Sequence, residues 1–194
     1  MLVTLNKTEI GLIYNIVDKA LQHSARSFSA FINQTVSIEI LDINAWDSEV
    51  RIDFQKSETE YVIISDLRGE IMGRCYLSLK ESEANSLFKL VLPPAYANDE
   101  NMKNGILIEL DNILTAAVVT VFSNVLQLNC YAYVPELLKI AGTTLGSLVE
   151  RDITEKQFSI FFKTKFMIQG VDLSAEFIWV LEKSFLEKIL ALNN

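Results

Sequence analysis

The order of predicted elements occurs twice along the chain, and this repetition constrains the fold more than any single motif does. A long amphipathic helix, predicted from about Thr8 to Asn33, precedes strand-like alternation that begins with TVSIEILDI. A short helix, KESEANSLFKLVL, then ends before Pro93-Pro94, because proline is not tolerated inside a helix. A second long helix, predicted from about Asn104 to Leu128, begins the same order again.

The two long helices also coincide at several positions, which indicates an internal duplication. A shift of 94 residues, the difference between Ser29 and Ser123, aligns further pairs: Phe28 with Phe122, Ala20 with Leu114, and Val36 with Cys130. Each half alone would leave an apolar face uncovered, so we expect the halves to share one core. The sequence therefore predicts a single α+β domain of two repeats, about 1–95 and 96–194. Antiparallel strands would lie in the middle, helices outside, and a pseudo-twofold axis would relate the halves.

The remaining elements are predicted from shorter patterns. Thr8 is the expected N-cap of the first helix, and AYANDENMKN is expected to be a polar linker before the second. EVRIDF, EYVIISDL and GEIMGRCYLSL are interpreted as further strands of the first half. In the second half we expect a strand at NCYAYVP, a short helix around ELLKIAGTTLGSLVE, strands at KQFSIFFKTKF and VDLSAEFIWVL, and a last helix at EKSFLEKILAL.

The charge balance argues against several classes of partner. The chain has 194 residues and a formal net charge of −8, with no cluster of basic residues, so neither nucleic acid nor an anionic membrane surface is an expected partner. A hydrophobic content of 50% predicts a folded chain. The apolar stretches are too short to suggest a membrane span, and the start MLVTLNKTEI lacks the features of a signal peptide. We therefore expect a cytoplasmic protein without membrane insertion.

Histidine and cysteine, which often serve as catalytic residues or metal ligands, are scarce in the chain. His23 is the single histidine, which argues against a His-based triad or a multi-histidine metal site, and it is expected to be a surface or structural residue. Cys75 and Cys130 both fall in strand-like stretches, and two buried reduced thiols are expected rather than a disulfide or a metal site. The sequence contains no Gly-rich phosphate loop and no nucleophile–base set, so a metabolic enzyme with its own small-molecule pocket has little support.

The second long helix carries one narrow polar line on an otherwise apolar surface. In the segment LIELDNILTAA, Glu109 and Asn112 are three residues apart, so their side chains project together from one face, with about 5–6 Å between Cβ atoms. The line continues at helical spacing through Gly105, Ala116, Val119 or Thr120, and Ser123. We expect a mostly buried helix with a thin exposed stripe that suits docking of a partner, although an ordinary solvent face would also accommodate Glu and Asn.

These features together resemble the CheC/CheX/FliY family of bacterial chemotaxis phosphatases, and CheC in particular. The family signature is E-x-x-N on a long helix, here Glu109 and Asn112, followed by small residues at 115–117, by Ser123 and by Val134-Pro135. E-x-x-N alone occurs often by chance. The resemblance extends over essentially the whole chain, because it also includes the duplicated helix–strand halves and the segments GEIMGRCYLSLKESEA and VDLSAEFIWVLEKSFLEKIL. The resemblance implies a CheC-like fold.

The resemblance also implies an activity. Family members hydrolyse the aspartyl phosphate of a CheY-type response regulator without a nucleophile or a metal ion of their own. By this resemblance, Asn112 would orient the attacking water and Glu109 would pair with a lysine of the regulator. The regulator would supply the magnesium ion, so no cofactor is expected on this chain. A CheD-like deamidase is a further partner that the resemblance implies.

Two departures from the family pattern leave an alternative open. At the corresponding place in the first helix stand Asn15 and Asp18, N-x-x-D instead of E-x-x-N, and a carboxylate there would repel a phosphoryl group. We therefore predict that this first site is inactive. Gly11 and Gly105 stand where the family often has Ser or Asp. FliM-like flagellar switch proteins share the duplicated fold without the catalytic pair, so a non-catalytic adaptor is the alternative function.

Overall fold

Helices and strands follow one another in two similar sets along the chain. The computed structural model describes residues 6–45, 60–140, 145–156 and 158–192. The helices are α1 (Lys7–Ile32), α2 (Glu81–Val91), α3 (Glu100–Leu126), α4 (Leu145–Lys156) and α5 (Lys183–Ala191), and a short 3₁₀ helix covers Pro94–Tyr96. The strands are β1 (Val36–Ala45), β2 (Glu60–Gly69), β3 (Gly73–Lys80), β4 (Cys130–Ala132), β5 (Glu136–Ile140), β6 (Phe158–Ile168) and β7 (Ser174–Glu182).

The strands of the described residues join one antiparallel sheet with a symmetric order. The order is β1-β6-β7-β3-β2, and both β4 and β5 pair with the remaining edge of β2. Exchanging the halves reverses this order, because β1 corresponds to β4 and β5, β2 to β6, and β3 to β7. The axis lies between β3 and β7, where Tyr76 is opposite Ile178. The predicted α+β fold with pseudo-twofold symmetry is therefore confirmed.

Each half contributes its first strand to the far edge of the other half. β1 follows α1 in the chain but pairs with β6, and β4 and β5 follow α3 but pair with β2. Neither half contains a complete sheet, so both depend on the same hydrophobic core. The predicted limits of the repeats, about 1–95 and 96–194, remain a prediction.

The two faces of the sheet are covered unequally. Helices α1, α2, α3 and α5 pack on one face over the larger core, where the rings of Phe162 and Trp179 stack with centroids 5.7 Å apart. On the opposite face, Leu145 and Val149 of α4 form a smaller core with sheet residues that include Phe161. The long helices α1 and α3 therefore lie side by side on the same face, with their outer surfaces turned away from the sheet.

The two long helices end in the same way, as a duplication requires. Asn33 and Gln127 are the C-caps of α1 and α3, and both adopt the left-handed conformation, with φ of 53° and 50°. Their backbone N–H groups donate to the carbonyl oxygens of Ser29 and Ser123, respectively. The Ser29 hydroxyl also accepts a hydrogen bond from the Val36 N–H at 3.0 Å, which ties the end of α1 to β1.

The predicted N-cap of the first long helix and the predicted beginning of the second were wrong. Asn6, and not Thr8, caps α1: its side-chain oxygen accepts from the N–H groups of Thr8 and Glu9 at 2.9 and 3.0 Å. The Glu9 carboxylate accepts in turn from the Asn6 N–H at 2.7 Å, which completes a capping box. Asp99 caps α3 in a similar way, and the helix begins at Glu100, so the end of the predicted linker is helical.

The segment after α3 differs most from its prediction. Glu136–Ile140, expected within a short helix, is the strand β5, whose backbone pairs with β2, and α4 begins later, at Leu145. GEIMGRCYLSL is not one strand either, because β2 ends at Gly69 and β3 starts at Gly73. The strand predicted at EVRIDF, residues 49–54, lies outside the described residues.

One described helix, α3, is long and apolar enough by length and composition to cross a membrane. Its apolar side chains are nevertheless part of the core, and Leu107, Leu110, Leu114 and Val118 are fully buried. The hydropathy of α3 is thus explained by its packing against α1 and the sheet.

Candidate functional site

The outer surface of α3 carries the polar stripe that the sequence predicts. Exposed residues follow one another along it at helical spacing, namely Gly105, Glu109, Asn112, Ala116 and Thr120, and Ser123 at the end is half-buried. Val119 is buried, so the stripe passes through Thr120, whose hydroxyl donates to the Ala116 carbonyl at 2.7 Å. Glu109 and Asn112 therefore share one exposed face, with small residues beside them.

The side chains of Glu109 and Asn112 are free to bind a partner. Among the residues that the structure describes, neither side chain has a hydrogen-bond or ion-pair partner. Glu109 offers a carboxylate, which accepts hydrogen bonds, and Asn112 offers an amide, which both donates and accepts. One helical turn separates the two groups, so both can engage a single molecule docked on α3.

The buried side of α3 is held firmly by α1. The Ser24 hydroxyl donates to the Leu114 carbonyl at 3.1 Å. The Nδ1 atom of His23 lies 3.1 Å from the Ala117 carbonyl, a contact that becomes a hydrogen bond in the tautomer with the proton on Nδ1. His23 is thus a half-buried structural residue, as predicted. These contacts fix the part of α3 that follows directly after Asn112.

The corresponding pair on α1 lies elsewhere. Asn15 is exposed, and the half-buried Asp18 accepts a long hydrogen bond of 3.4 Å from the Gln22 amide. The pseudo-twofold axis runs perpendicular to the sheet, so it relates α1 and α3 as antiparallel helices that meet at His23 and Ala117. Both pairs are N-terminal to this meeting point, so they lie toward opposite ends of the helix pair. The structure does not combine them into one site.

A buried polar cluster lies on the sheet side of α3, beneath the stripe. It consists of Ser65 from β2, Cys75 from β3, and Asp111 and Thr115 from α3, and all four are 0% exposed. We call these residues the Asp111 cluster. The Ser65 hydroxyl donates to Asp111 Oδ2 at 2.5 Å, and Cys75 Sγ lies 3.2 Å from Thr115 Oγ1. Asp111 Oδ1 has no hydrogen-bond partner among the described residues.

Burial changes the protonation of this cluster. It raises the pKa of Asp111 to about 7, although the Ser65 and Thr115 hydroxyls favour the ionised form. Burial, and then the nearby Asp111, raise the pKa of the Cys75 thiol well above its usual value. Cys75 is a buried free thiol, as expected, whereas the other free cysteine, Cys130, is half-buried.

Asp111 was not predicted as a functional residue, because it lies outside the stripe of Glu109 and Asn112. A signal was nevertheless available. Leu107, Asp111, Leu114 and Val118 recur at the spacing of one helix face, and the other three are strongly apolar. An acidic residue on the apolar face of a core helix indicates a buried carboxyl group.

A second charged cluster lies on the opposite face of the sheet. Arg74 contacts Asp66 at 2.7 Å and Asp152 of α4 at 2.5 Å, and the Tyr76 hydroxyl donates to Asp152. Burial alone would raise the pKa of Asp152, but the hydrogen bonds from Tyr76 and Arg74 hold it below its usual value. This cluster fastens α4 to the sheet and is separated from the stripe by the sheet itself. Within the described ranges, no group of three or more potential ligands could hold a metal ion.

The comparisons with known proteins identify a shared fold. Neither the family models nor the curated proteins give a match to the sequence. Among solved structures, FliY from Thermotoga maritima is 15% identical with a TM-score of 0.71, and the match covers 97% of both chains. A CheC-like superfamily protein from Shewanella sp. PV-4 is 12% identical with a TM-score of 0.57, covering 92% of this chain and 99% of the other.

A third solved structure with a similar fold comes from a protein complex. A chain of the FliG–FliM complex from H. pylori is 15% identical with a TM-score of 0.63, covering 94% of this chain and 100% of the other. The coverage shows that the likeness concerns the whole fold and not one of its halves. The chain therefore has the fold that FliY, the CheC-like protein and the FliM–FliG structure represent.

Proposed function

We propose that this chain is a phosphatase that hydrolyses the aspartyl phosphate of a CheY-type response regulator, with Glu109 and Asn112 as its catalytic residues. The observation that carries the proposal is the state of this pair on α3: both side chains are exposed and unpaired among the described residues, and they stand one turn apart. The E-x-x-N resemblance and the fold shared with FliY and a CheC-like protein support it.

The chemistry suits such a pair. Hydrolysis of an acyl phosphate needs a water molecule held in line with the leaving carboxylate, and holding it can contribute several powers of ten in rate. The Asn112 amide can bind that water without adding a negative charge that would repel the phosphoryl oxygens. Glu109 can accept a lysine of the regulator and so fix how the regulator docks. A helix whose other sides are buried holds both groups in a defined geometry.

The remaining groups would come from the regulator. It carries the phosphoryl group and would supply the magnesium ion, so this chain needs no cofactor of its own. Nucleic acid and membrane insertion have no part in this function, and the reaction would take place in the cytoplasm. A CheD-like deamidase is a further partner that the CheC resemblance suggests.

The test measures the loss of acyl phosphate from a phosphorylated CheY-type regulator with and without this chain. We expect acceleration by the wild type and a loss of about 100-fold or more in Asn112→Ala, because the water is no longer oriented. Glu109→Ala should weaken both binding and rate. Asn124→Ala removes an exposed amide from the same helix and serves as the matched control. Binding is followed with a beryllofluoride-loaded regulator.

A non-catalytic adaptor is the second candidate function. It is favoured by Asn15 and Asp18, which break the motif on α1, and by the fold shared with the FliG–FliM complex. If the wild type binds the beryllofluoride-loaded regulator but leaves the acyl phosphate lifetime unchanged, the phosphatase proposal is wrong and the adaptor stands. If acceleration depends on Asn112 and persists in Asn15→Ala, a single catalytic site on α3 is supported.

A further inference from the structure

The Asp111 cluster breaks the symmetry of the core. Counting back from the paired C-caps, Asn33 and Gln127, places Val17 of α1 where α3 has Asp111. By the same count Leu21 stands where α3 has Thr115, and both α1 residues are 0% exposed. The fold thus accepts apolar side chains at these places, and it does not itself require an acid there.

The sheet repeats this asymmetry. Ser65 pairs with Cys75 between β2 and β3, and the equivalent pair between β6 and β7 is Thr164 with Phe177. The equivalent of the Cys75 thiol is therefore a phenyl ring, and Thr164 donates to the backbone carbonyl of Glu39 and not to an acid. The helix α3, which carries Glu109 and Asn112, thus has the buried carboxyl group of Asp111. The helix α1, which carries Asn15 and Asp18, has Val17 at the equivalent buried position.

The cluster accommodates the neutral form of Asp111 better than the ionised form. When the carboxyl is neutral, the contact with Ser65 supplies a hydrogen bond and no charge is buried. When it is ionised, a full charge lies in the core with a close donor at Oδ2 and, among the described residues, none at Oδ1. A buried carboxylate of this kind is strongly unfavourable unless water or a donor reaches it. Ionisation therefore pushes this turn of α3 away from the sheet.

Few titratable groups face Asp111. The sheet presents the Cys75 thiol and the Ser65 hydroxyl, and α3 itself presents the Thr115 hydroxyl. Within the described residues, no charged side chain contributes to the shift of the Asp111 pKa. Two titratable groups of the described residues contact other turns of α3: His23 of α1 lies beside Ala117, and Cys130 of β4 lies beside Ser123.

We propose that Asp111 is a positioning residue for the pair on α3. Its buried contact with Ser65 holds the turn that carries Glu109 and Asn112 against the sheet. Loss of the carboxyl proton displaces that turn from the sheet and slows hydrolysis. This inference rests on the proposed phosphatase function and adds regulation to the same site. Asp111 does not touch the substrate. It acts through the position of Glu109 and Asn112, which belong to the same helical turn and are exposed where Asp111 is buried.

The experiment follows acyl phosphate decay at pH 6, 7 and 8, corrected for spontaneous decay of the regulator, for the wild type and Asp111→Asn. The amide has the same shape and does not titrate. With a pKa of about 7, the neutral fraction of Asp111 falls about tenfold between pH 6 and pH 8, and we expect the wild-type acceleration to fall by the same factor relative to the variant. Glu100→Gln makes the same exchange of acid for amide at an exposed position of α3 and should follow the wild type.

A second readout does not depend on the regulator. The infrared carbonyl band of a protonated buried carboxyl should be present in the free wild-type protein at pH 6, weaken through pH 7, and be missing from Asp111→Asn. If the wild type accelerates decay but its rate relative to Asp111→Asn is constant over the pH range, the inference is overturned while the phosphatase function stands. If the wild type accelerates at no pH although it binds the beryllofluoride-loaded regulator, both proposals fail.

Discussion

The buried carboxyl of Asp111 should also make the stability of the fold depend on pH, and replacement by asparagine isolates its contribution. The pKa of Asp111 is raised from 3.8 to about 7 by burial. Between these two pKa values the folded state keeps a proton that the unfolded chain releases. The resulting stabilisation of the fold is fully present below the pKa of the unfolded chain, and it is lost as the pH rises through the pKa of the folded protein. One pKa unit corresponds to about 1.4 kcal/mol, so about three units amount to about 4 kcal/mol over the full range.

The assay compares urea unfolding of the wild type and Asp111→Asn at pH 5 and pH 8. Over this interval the linkage predicts that the free energy of unfolding of the wild type falls by about 2.5 kcal/mol relative to the variant. Other titrating groups are common to both proteins and cancel in the comparison. Glu100→Gln is the control, because folding does not remove that exposed side chain from water. Parallel pH profiles for wild type and Asp111→Asn would contradict this prediction, since they would mean that folding does not change the protonation of Asp111.

Two further predictions concern the sheet. Asp152→Ala should lower the free energy of unfolding at pH 7 by about 2 kcal/mol, because Arg74 loses one of its two carboxylate partners. The pKa of Asp152 is lowered in the folded protein, so this loss should shrink in urea titrations as the pH falls below 4. Gly69→Ala should destabilise by about 3 kcal/mol, since φ is +119° and a Cβ would lie 2.3 Å from the Asn129 carbonyl oxygen. At Gly170, φ is +78° but no described atom lies within 4 Å of a Cβ. Gly170→Ala should therefore cost about 1 kcal/mol, and equal losses at both glycines would contradict the role of the clash.

Much of the secondary structure could be predicted because it depends on local patterns. Apolar residues at helical spacing predict the helices α1, α2, α3 and α5. The helix α2 ends before Pro93, because proline has no backbone N–H and is not tolerated inside a helix. The end of α2 required no tertiary information. The helix beginnings were missed by a few residues. Asn, Asp and Thr are all favourable N-caps, so Asn6 and Asp99 could not be chosen over nearby residues from the sequence. The choice among them depends on the final backbone path.

The strand β5 shows where local patterns fail. The run ELLKI is short and apolar, and such a run fits either a helix or a strand. The decision is made by β2, whose free edge offers backbone donors and acceptors to residues 136–140. That edge belongs to the other half of the chain, so the residues near Glu136 in the sequence do not predict the pairing.

The outward-facing residues of α3 follow from local sequence: a period of 3.6 residues places Glu109, Asn112 and Ala116 on one side whatever the helix packs against. The sequence also indicated the duplication, because some equivalent positions of α1 and α3 keep the same residue, namely Phe28 with Phe122 and Ser29 with Ser123. The pairing of β1 with β6, and of β4 and β5 with β2, depends in contrast on tertiary contacts. Backbone hydrogen bonds are alike for every residue, so the choice of partner strand comes from packing of distant segments. The same packing decided that the carboxyl of Asp111 meets the hydroxyl of Ser65, a contact between residues 46 positions apart in the chain.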